Sequence, residues 1–232
     1  MNIYGAGSID DIKKCTELGV AGILTNPQGF DQFYKGKMTL KEITEAILDV
    51  SDSNVFIQIH GKSTKQIIER AEALYSLSDR VGFKIISDKK GFEAIKVLQD
   101  KGIDCIATCL FSVSQAAIAK MVGAYGVCPF FSRARVFGAD PIKLIQSIKN
   151  CYKSDKSSPE IIVASLKGVG DINDAISAGA DSIALRYPAL LEMMNHALTD
   201  KAEALFAKNW LNVKGEDVSY LKDKMKQEGV AE

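Results

Sequence analysis

The sequence predicts a TIM (β/α)8 barrel with an additional C-terminal helix, and three observations carry that prediction. Short apolar, β-forming runs alternate with amphipathic helical segments; eight such units recur; and no linker or low-complexity stretch divides residues 1–212. Strands that alternate with helices pair in parallel, and eight units spaced by roughly 25 residues close a ring. An open doubly wound sheet is the alternative, but Gly5-Ala6-Gly7 lacks the third glycine of that fold's phosphate turn. Residues 1–212 are therefore assigned to the barrel and 213–232 to a helical tail.

The first strand is expected within residues 2–7. Ser8-Ile9-Asp10-Asp11 then opens a helix with carboxylates in its first turn, and Gly19 ends it. The second strand, 20–24, stops at Thr25-Asn26-Pro27, and residues 38–50 place Leu40, Ile43, Ile47 and Val50 near helical spacing. Strand 54–59 precedes helix 63–77. The fourth strand, within 81–87, precedes helix 92–100, which Lys101-Gly102 closes. Strand 103–110 and helix 114–122 follow, then strand 125–131 and a helix opened by Asp140-Pro141 that runs to about Tyr152. Strands 159–165 and 181–185 flank helix 171–178, and helices 188–198 and 200–210 end the ordered pattern.

Composition excludes several classes. With 29 basic and 29 acidic residues the net charge is zero, which disfavours nucleic-acid and anionic-membrane partners. No apolar run approaches membrane-spanning length, and the start has no basic segment followed by an apolar one, so a cytoplasmic location is expected. Five scattered cysteines without a Cys-x-x-Cys pair fit reduced thiols, and two isolated histidines suggest no zinc site.

The chemistry is expected at the C-terminal strand ends, where such barrels carry their reactive groups. Those ends offer Thr25 and Asn26, Gln58 and His60, Lys84, Thr108, Ser132 and Arg133, Ser165 and Lys167, and Arg186. Lys84 is the anomaly, because it interrupts an otherwise apolar strand, Val81-Gly82-Phe83-Lys84-Ile85-Ile86. An ammonium group among apolar neighbours is costly unless it is paired or deprotonated, and a neutral amine attacks carbonyls. The bland alternative is a lysine whose stem lies on apolar surface while its head reaches water. Arg133, Ser165 and Lys167 could hold a phosphate, or the two cations could be ordinary solvated loop charges.

With these residues laid out, the chain resembles the small-subunit transaldolase and fructose-6-phosphate aldolase family over nearly residues 1–212. Leu24-Thr25-Asn26-Pro27, Phe83-Lys84-Ile85, Ile106-Ala107-Thr108 and Ala164-Ser165-Leu166-Lys167 carry the resemblance, in the family's order. It implies a cofactor-independent class I enzyme in which Lys84 forms a Schiff base with a ketose or dihydroxyacetone unit. Thr25 and Asn26 would then contact the sugar, Gln58 and Thr108 would position a catalytic water, and Arg133, Ser165 and Lys167 would take a phosphate. A sugar or sugar-phosphate substrate and a homo-oligomer, a pentamer or decamer, are implied as well.

Three positions depart from the pattern. Ala6 stands in place of the family's aspartate, Gln58 in place of the transaldolase glutamate, and Phe130 in place of the aldolase tyrosine. Phenylalanine carries no proton. Two readings follow: a diverged aldolase in which another group moves protons, with His60 the candidate because imidazole titrates near neutrality, or a family member that binds a sugar phosphate or carbonyl metabolite without efficient turnover. The first expects His60→Ala to lower turnover by about 10²-fold or more.

Overall fold

The computed structural model describes residues 1–152, 157–210 and 213. Eight parallel strands close a barrel in sequence order, each hydrogen-bonded to its neighbours. The first half comprises β1 (Asn2–Ala6), α1 (Ile9–Glu17), β2 (Gly22–Leu24), α2 (Pro27–Tyr34), α3 (Leu40–Val50), β3 (Asn54–Gln58), α4 (Thr64–Tyr75), β4 (Val81–Ile86) and α5 (Lys89–Asp100). The second half comprises β5 (Cys105–Leu110), α6 (Val113–Met121), β6 (Gly126–Pro129), α7 (Phe131–Val136), α8 (Pro141–Tyr152), β7 (Glu160–Val163), α9 (Val169–Ser177), β8 (Ser182–Arg186), α10 (Tyr187–Met194) and α11 (Ala197–Trp210).

Local chemistry explains most boundaries. Ser8 and Thr39 form reciprocal capping boxes with Asp11 and Glu42, which start α1 and α3. Two helices go beyond the sequence expectation. α2 begins at once after β2, because Asn26 caps the Gly29 amide at 2.8 Å and Pro27 suits a first helical position. α7 cuts β6 short at Pro129, and only an isolated bridge, Phe130 to Ala164, prolongs the pairing.

The barrel interior is a cluster of Tyr4, Leu24, Phe56, Ile106, Cys128, Phe130, Ile162 and Ala164. The Tyr4 and Phe56 rings meet edge to face at 6.2 Å. Glycines make the room: a Cβ at Gly22 would lie 2.8 Å from the Tyr4 ring, and one at Gly82 2.7 Å from the Phe56 ring. The Tyr4 hydroxyl donates to Glu160 Oε2 at 2.8 Å, and burial pushes its pKa far above the usual phenol range, so it stays a donor. Ser182 also donates to Glu160. This polar group lies where β7 begins, and none of its residues lines the cavity described below, at the C-terminal strand ends.

Contact density divides the chain into two compact units, Met1–Glu192 and Met193–Glu232. The first contains all eight strands. In the second, α11 has no buried residue and exposes Leu198, Leu205, Phe206 and Trp210. The tail helix expected after Val213, with Tyr220 and Leu221, lies outside the described residues. Among the described residues no helix is long and apolar enough to cross a membrane.

Candidate active site

β4 presents Lys84 to the barrel interior. The side chain is 3% exposed, and its Nζ donates to the Thr25 carbonyl at 3.2 Å. Gly82, two residues earlier on the same face, abuts the interior Phe56 ring, whereas Phe83 and Ile85 are buried on the opposite face of the strand. Gln58 is the register partner of Lys84 across β3 and β4. The Thr25 hydroxyl donates to the Phe56 carbonyl and accepts from the Gln58 amide at 3.0 Å, so Thr25 ties β2 to β3 and offers its own carbonyl to the lysine.

Lys84 opens into a cavity of about 770 Å³ that Asn26, Gln58, Cys109, Phe130, Arg133, Ser165, Lys167 and Arg186 also line. Asn26 Oδ1 is occupied as the α2 cap, which leaves Nδ2 to donate. Gln58 is 8% exposed and Thr108 0%; Gln58 Oε1 has no hydrogen-bond partner, and the Thr108 hydroxyl has only the Cys109 thiol beside it. Buried polar atoms are rarely left unpaired, and the Gln58 amide oxygen belongs to the strand that pairs with the lysine strand. Thr25 lines a smaller recess beside the cavity, together with Gly7, Asn26 and Arg186.

On the β6–β7 side, Ser165 adopts a left-handed backbone (φ 61°), a conformation that costs free energy and tends to occur at functional sites. Asp171 organises this region: Ser132 Oγ donates to it, the Lys167 amide donates at 3.0 Å, and Arg135 pairs with it at 2.6 Å. Arg133 stacks on the Phe130 ring at 5.0 Å. Replacing Asp171 by alanine would strand two donors, Ser132 Oγ and the Lys167 amide, and leave Arg135 with Asp174 as its remaining carboxylate. Stability is expected to fall by about 2 kcal/mol, measurable by urea unfolding; an unchanged midpoint would contradict this bonding pattern.

His60 is the correction. β3 ends at Gln58, so His60 lies beyond the strand, exposed, in an adjoining groove with Phe30, Tyr34 and Arg70 that shares only Pro27 and Gln58 with the Lys84 cavity. Its backbone carbonyl accepts from Arg70, and its ring does not line the Lys84 cavity. Sharing a strand face with Gln58 would have required the extended backbone to continue.

Cys109 is the residue that sequence reasoning missed. Strict alternation after Thr108 turns it outward, but the β5–β6 register shifts between Thr108 and Leu110, and Cys109 takes φ 57°. The shift brings its thiol to the cavity, where burial raises the pKa despite the nearby Lys84 and Arg133 charges. All five cysteines are free. With an aromatic disulfide reagent, exposed Cys151 is expected to react first and Cys109 slowly. Cys15, pushed up to about 11 by burial, should join Cys105 and Cys128 only after unfolding. Fast reaction of three or more native thiols would contradict this burial order.

The family model described as "Transaldolase/Fructose-6-phosphate aldolase" matches residues 6–232. The chain belongs to the transaldolase/fructose-6-phosphate aldolase family. A "Probable transaldolase" of Coprothermobacter proteolyticus is 31% identical over 208 residues, covering 89% of this chain and 94% of that one. Another, of Dictyoglomus turgidum, is 31% identical over 207 residues, with 89% and 95% covered. The barrel is also similar to that of a flavocytochrome b2 variant with benzoylformate, at TM-score 0.57 and 14% identity, covering 81% of this chain and 57% of that one. That last likeness concerns the fold alone. Family membership makes this a transaldolase-type protein, and among the described residues no cluster of His, Cys, Asp and Glu could hold a metal ion.

Proposed function

We propose that the protein is a Schiff-base aldolase of the transaldolase type, with Lys84 as the nucleophile and a ketose or ketose phosphate as substrate. The observation that carries this reading is the buried Lys84 amine, which opens into a cavity that the unpartnered Gln58 side chain also lines. Attack of Nζ on the ketone carbon would give a carbinolamine, and loss of water an imine. Cleavage of the neighbouring carbon–carbon bond would send its electron pair toward the imine nitrogen. The aldehyde half would leave, and the resulting enamine would be protonated or would attack a second aldehyde. Gln58 and Thr108 are suited to hold a water for these proton transfers, and Asn26 to bind a donor hydroxyl. Arg133, Ser165 and Lys167 are suited to a phosphate, with Asp171 fixing the Lys167 backbone.

A second reading is favoured by one observation: the residues lining this cavity include no carboxylate, phenol or imidazole. In that reading the chain binds a sugar phosphate or carbonyl metabolite without efficient turnover. Borohydride reduction in the presence of fructose 6-phosphate or dihydroxyacetone, followed by peptide mass measurement, tests imine formation, and a cleavage assay tests turnover. An adduct on Lys84 with turnover supports the aldolase; an adduct alone favours the binder; neither would defeat the aldolase reading with these substrates. A homo-oligomeric, cytoplasmic enzyme completes the proposal, and the exposed apolar side chains of α11 support the oligomer.

A further inference from the structure

A chain with no net charge gathers four basic side chains around one cavity: Lys84, Arg133, Lys167 and Arg186. No carboxylate lines that cavity, and none of the four forms an ion pair among the described residues. The proposed function uses three of them, Lys84 for the imine and Arg133 and Lys167 for one phosphate. Arg186 is left over. It is exposed at the end of β8, and its charge adds to the positive potential of the cavity, which favours an arriving anion.

The position of Arg186 says which end of the substrate it would meet. Arg133 and Lys167 follow β6 and β7, whereas Arg186 ends β8 and leans the other way, toward α2. Its Nη2 donates to Gln32 Oε1 at 3.1 Å, and its guanidinium lies 5.3 Å from the Phe33 ring centroid. Both partners are neutral, so they orient the group without cancelling it. Its register partner on β1 is Ala6, a methyl group that neither pairs with it nor blocks it. Arg186 also lines the recess beside Thr25, whose carbonyl holds the Lys84 amine. The N-terminus of α2 faces the same cavity through Asn26, Pro27 and Gln28, with no acidic residue in its first turn. Partial positive charge and a guanidinium therefore converge on one sector, that of β8, β1 and β2.

We infer that this sector is a second anion subsite, and that the carbonyl donor bound by Lys84 is itself anionic. The group is a carboxylate or a phosphate next to the reacting carbonyl, as in a 2-oxo acid or dihydroxyacetone phosphate. The full substrate then carries negative charge at both ends. The inference rests on Lys84 as the imine-forming residue. It departs from a neutral dihydroxyacetone unit as the donor.

The test compares borohydride trapping on Lys84 with pyruvate, dihydroxyacetone phosphate and dihydroxyacetone, reading the half-saturating concentration of each. At least one anionic donor is expected to trap at about tenfold lower concentration than dihydroxyacetone, as a charge-assisted hydrogen-bond pair would give. Whichever of the two gains identifies the anion as carboxylate or phosphate. In Arg186→Gln the anionic-to-neutral preference should fall by about tenfold, and Arg186→Lys should restore part of it. Dihydroxyacetone trapping best in the wild type, or Arg186→Gln leaving the preference unchanged, would overturn the second subsite and leave the Schiff-base reading intact. The preference falling with Lys167→Gln instead would put the anion in the β6–β7 sector and overturn it too. Trapping by none of the three donors would remove the Lys84 reading and this inference together.

Discussion

Lys84→Met is expected to abolish the borohydride-trapped adduct and to lower turnover by roughly 10⁴-fold or more, the scale on which enzymes lose rate with their nucleophile. Methionine keeps the length and apolar stem of lysine, so the interior packing of β4 should survive. What disappears is the amine and its hydrogen bond to the Thr25 carbonyl. Losing that bond costs about 1 kcal/mol, too little to unfold a domain of this size, and a thermal melt would verify that the variant is folded. Intact-protein mass after reduction reads the adduct, and a coupled aldehyde assay reads cleavage. A folded Lys84→Met protein that still gained the mass of the reduced ketose would assign the imine to another lysine.

Gly91→Ala should cost about 3 kcal/mol, at the upper end of the overpacking range. A Cβ at Gly91 would stand 1.9 Å from the Ile86 carbonyl oxygen, which is backbone and cannot rotate aside. Asp88 caps the Gly91 amide at 2.8 Å, so the first turn of α5 is drawn directly onto the end of β4. The alanine must push helix and strand apart two residues from Lys84. For a chain of this length the melting temperature should fall by roughly 6–12 °C. Gly102→Ala is the control: it has φ 75°, but an added methyl there would meet nothing within 4 Å, so only backbone strain applies, about 1–2 kcal/mol. Equal losses from the two substitutions would mean that the close approach of α5 to β4 is absent.

The barrel was legible because its determinants are local and repeated. Alternation marked the strands, and Ser8 and Asp140-Pro141 marked helix starts whose hydrogen bonds close within a few residues. The positions lining the cavity were legible for the same reason, since parallel strands put their C-terminal ends on one side whatever their exact register. Lys84, Gln58, Asn26, Arg133, Ser165 and Lys167 do meet there. Their roles remain proposals that the trapping experiments address.

What failed to be legible depends on pairings distant in sequence. His60 was a proton-transfer candidate on its chemistry and its place at the end of a strand, but β3 stops at Gln58 and the imidazole lies outside the Lys84 cavity. Strict alternation along β5 would turn Cys109 outward, and one register shift against β6 brings it to the cavity instead. Arg186 could be read as a strand end, yet its lean toward Gln32 and Phe33 depends on α2, a helix that neither spacing nor hydropathy announced.

The sequence by itself determined the closed parallel barrel, the family and the lysine strand, because hydrophobic period, capping residues and short motifs act over a few residues at a time. Only the tertiary structure decided which polar side chains share the Lys84 cavity and which charges go unanswered there. Those outcomes depend on strand length, a single bulge and the contact between β8 and α2, where residues more than a hundred positions apart are brought side by side.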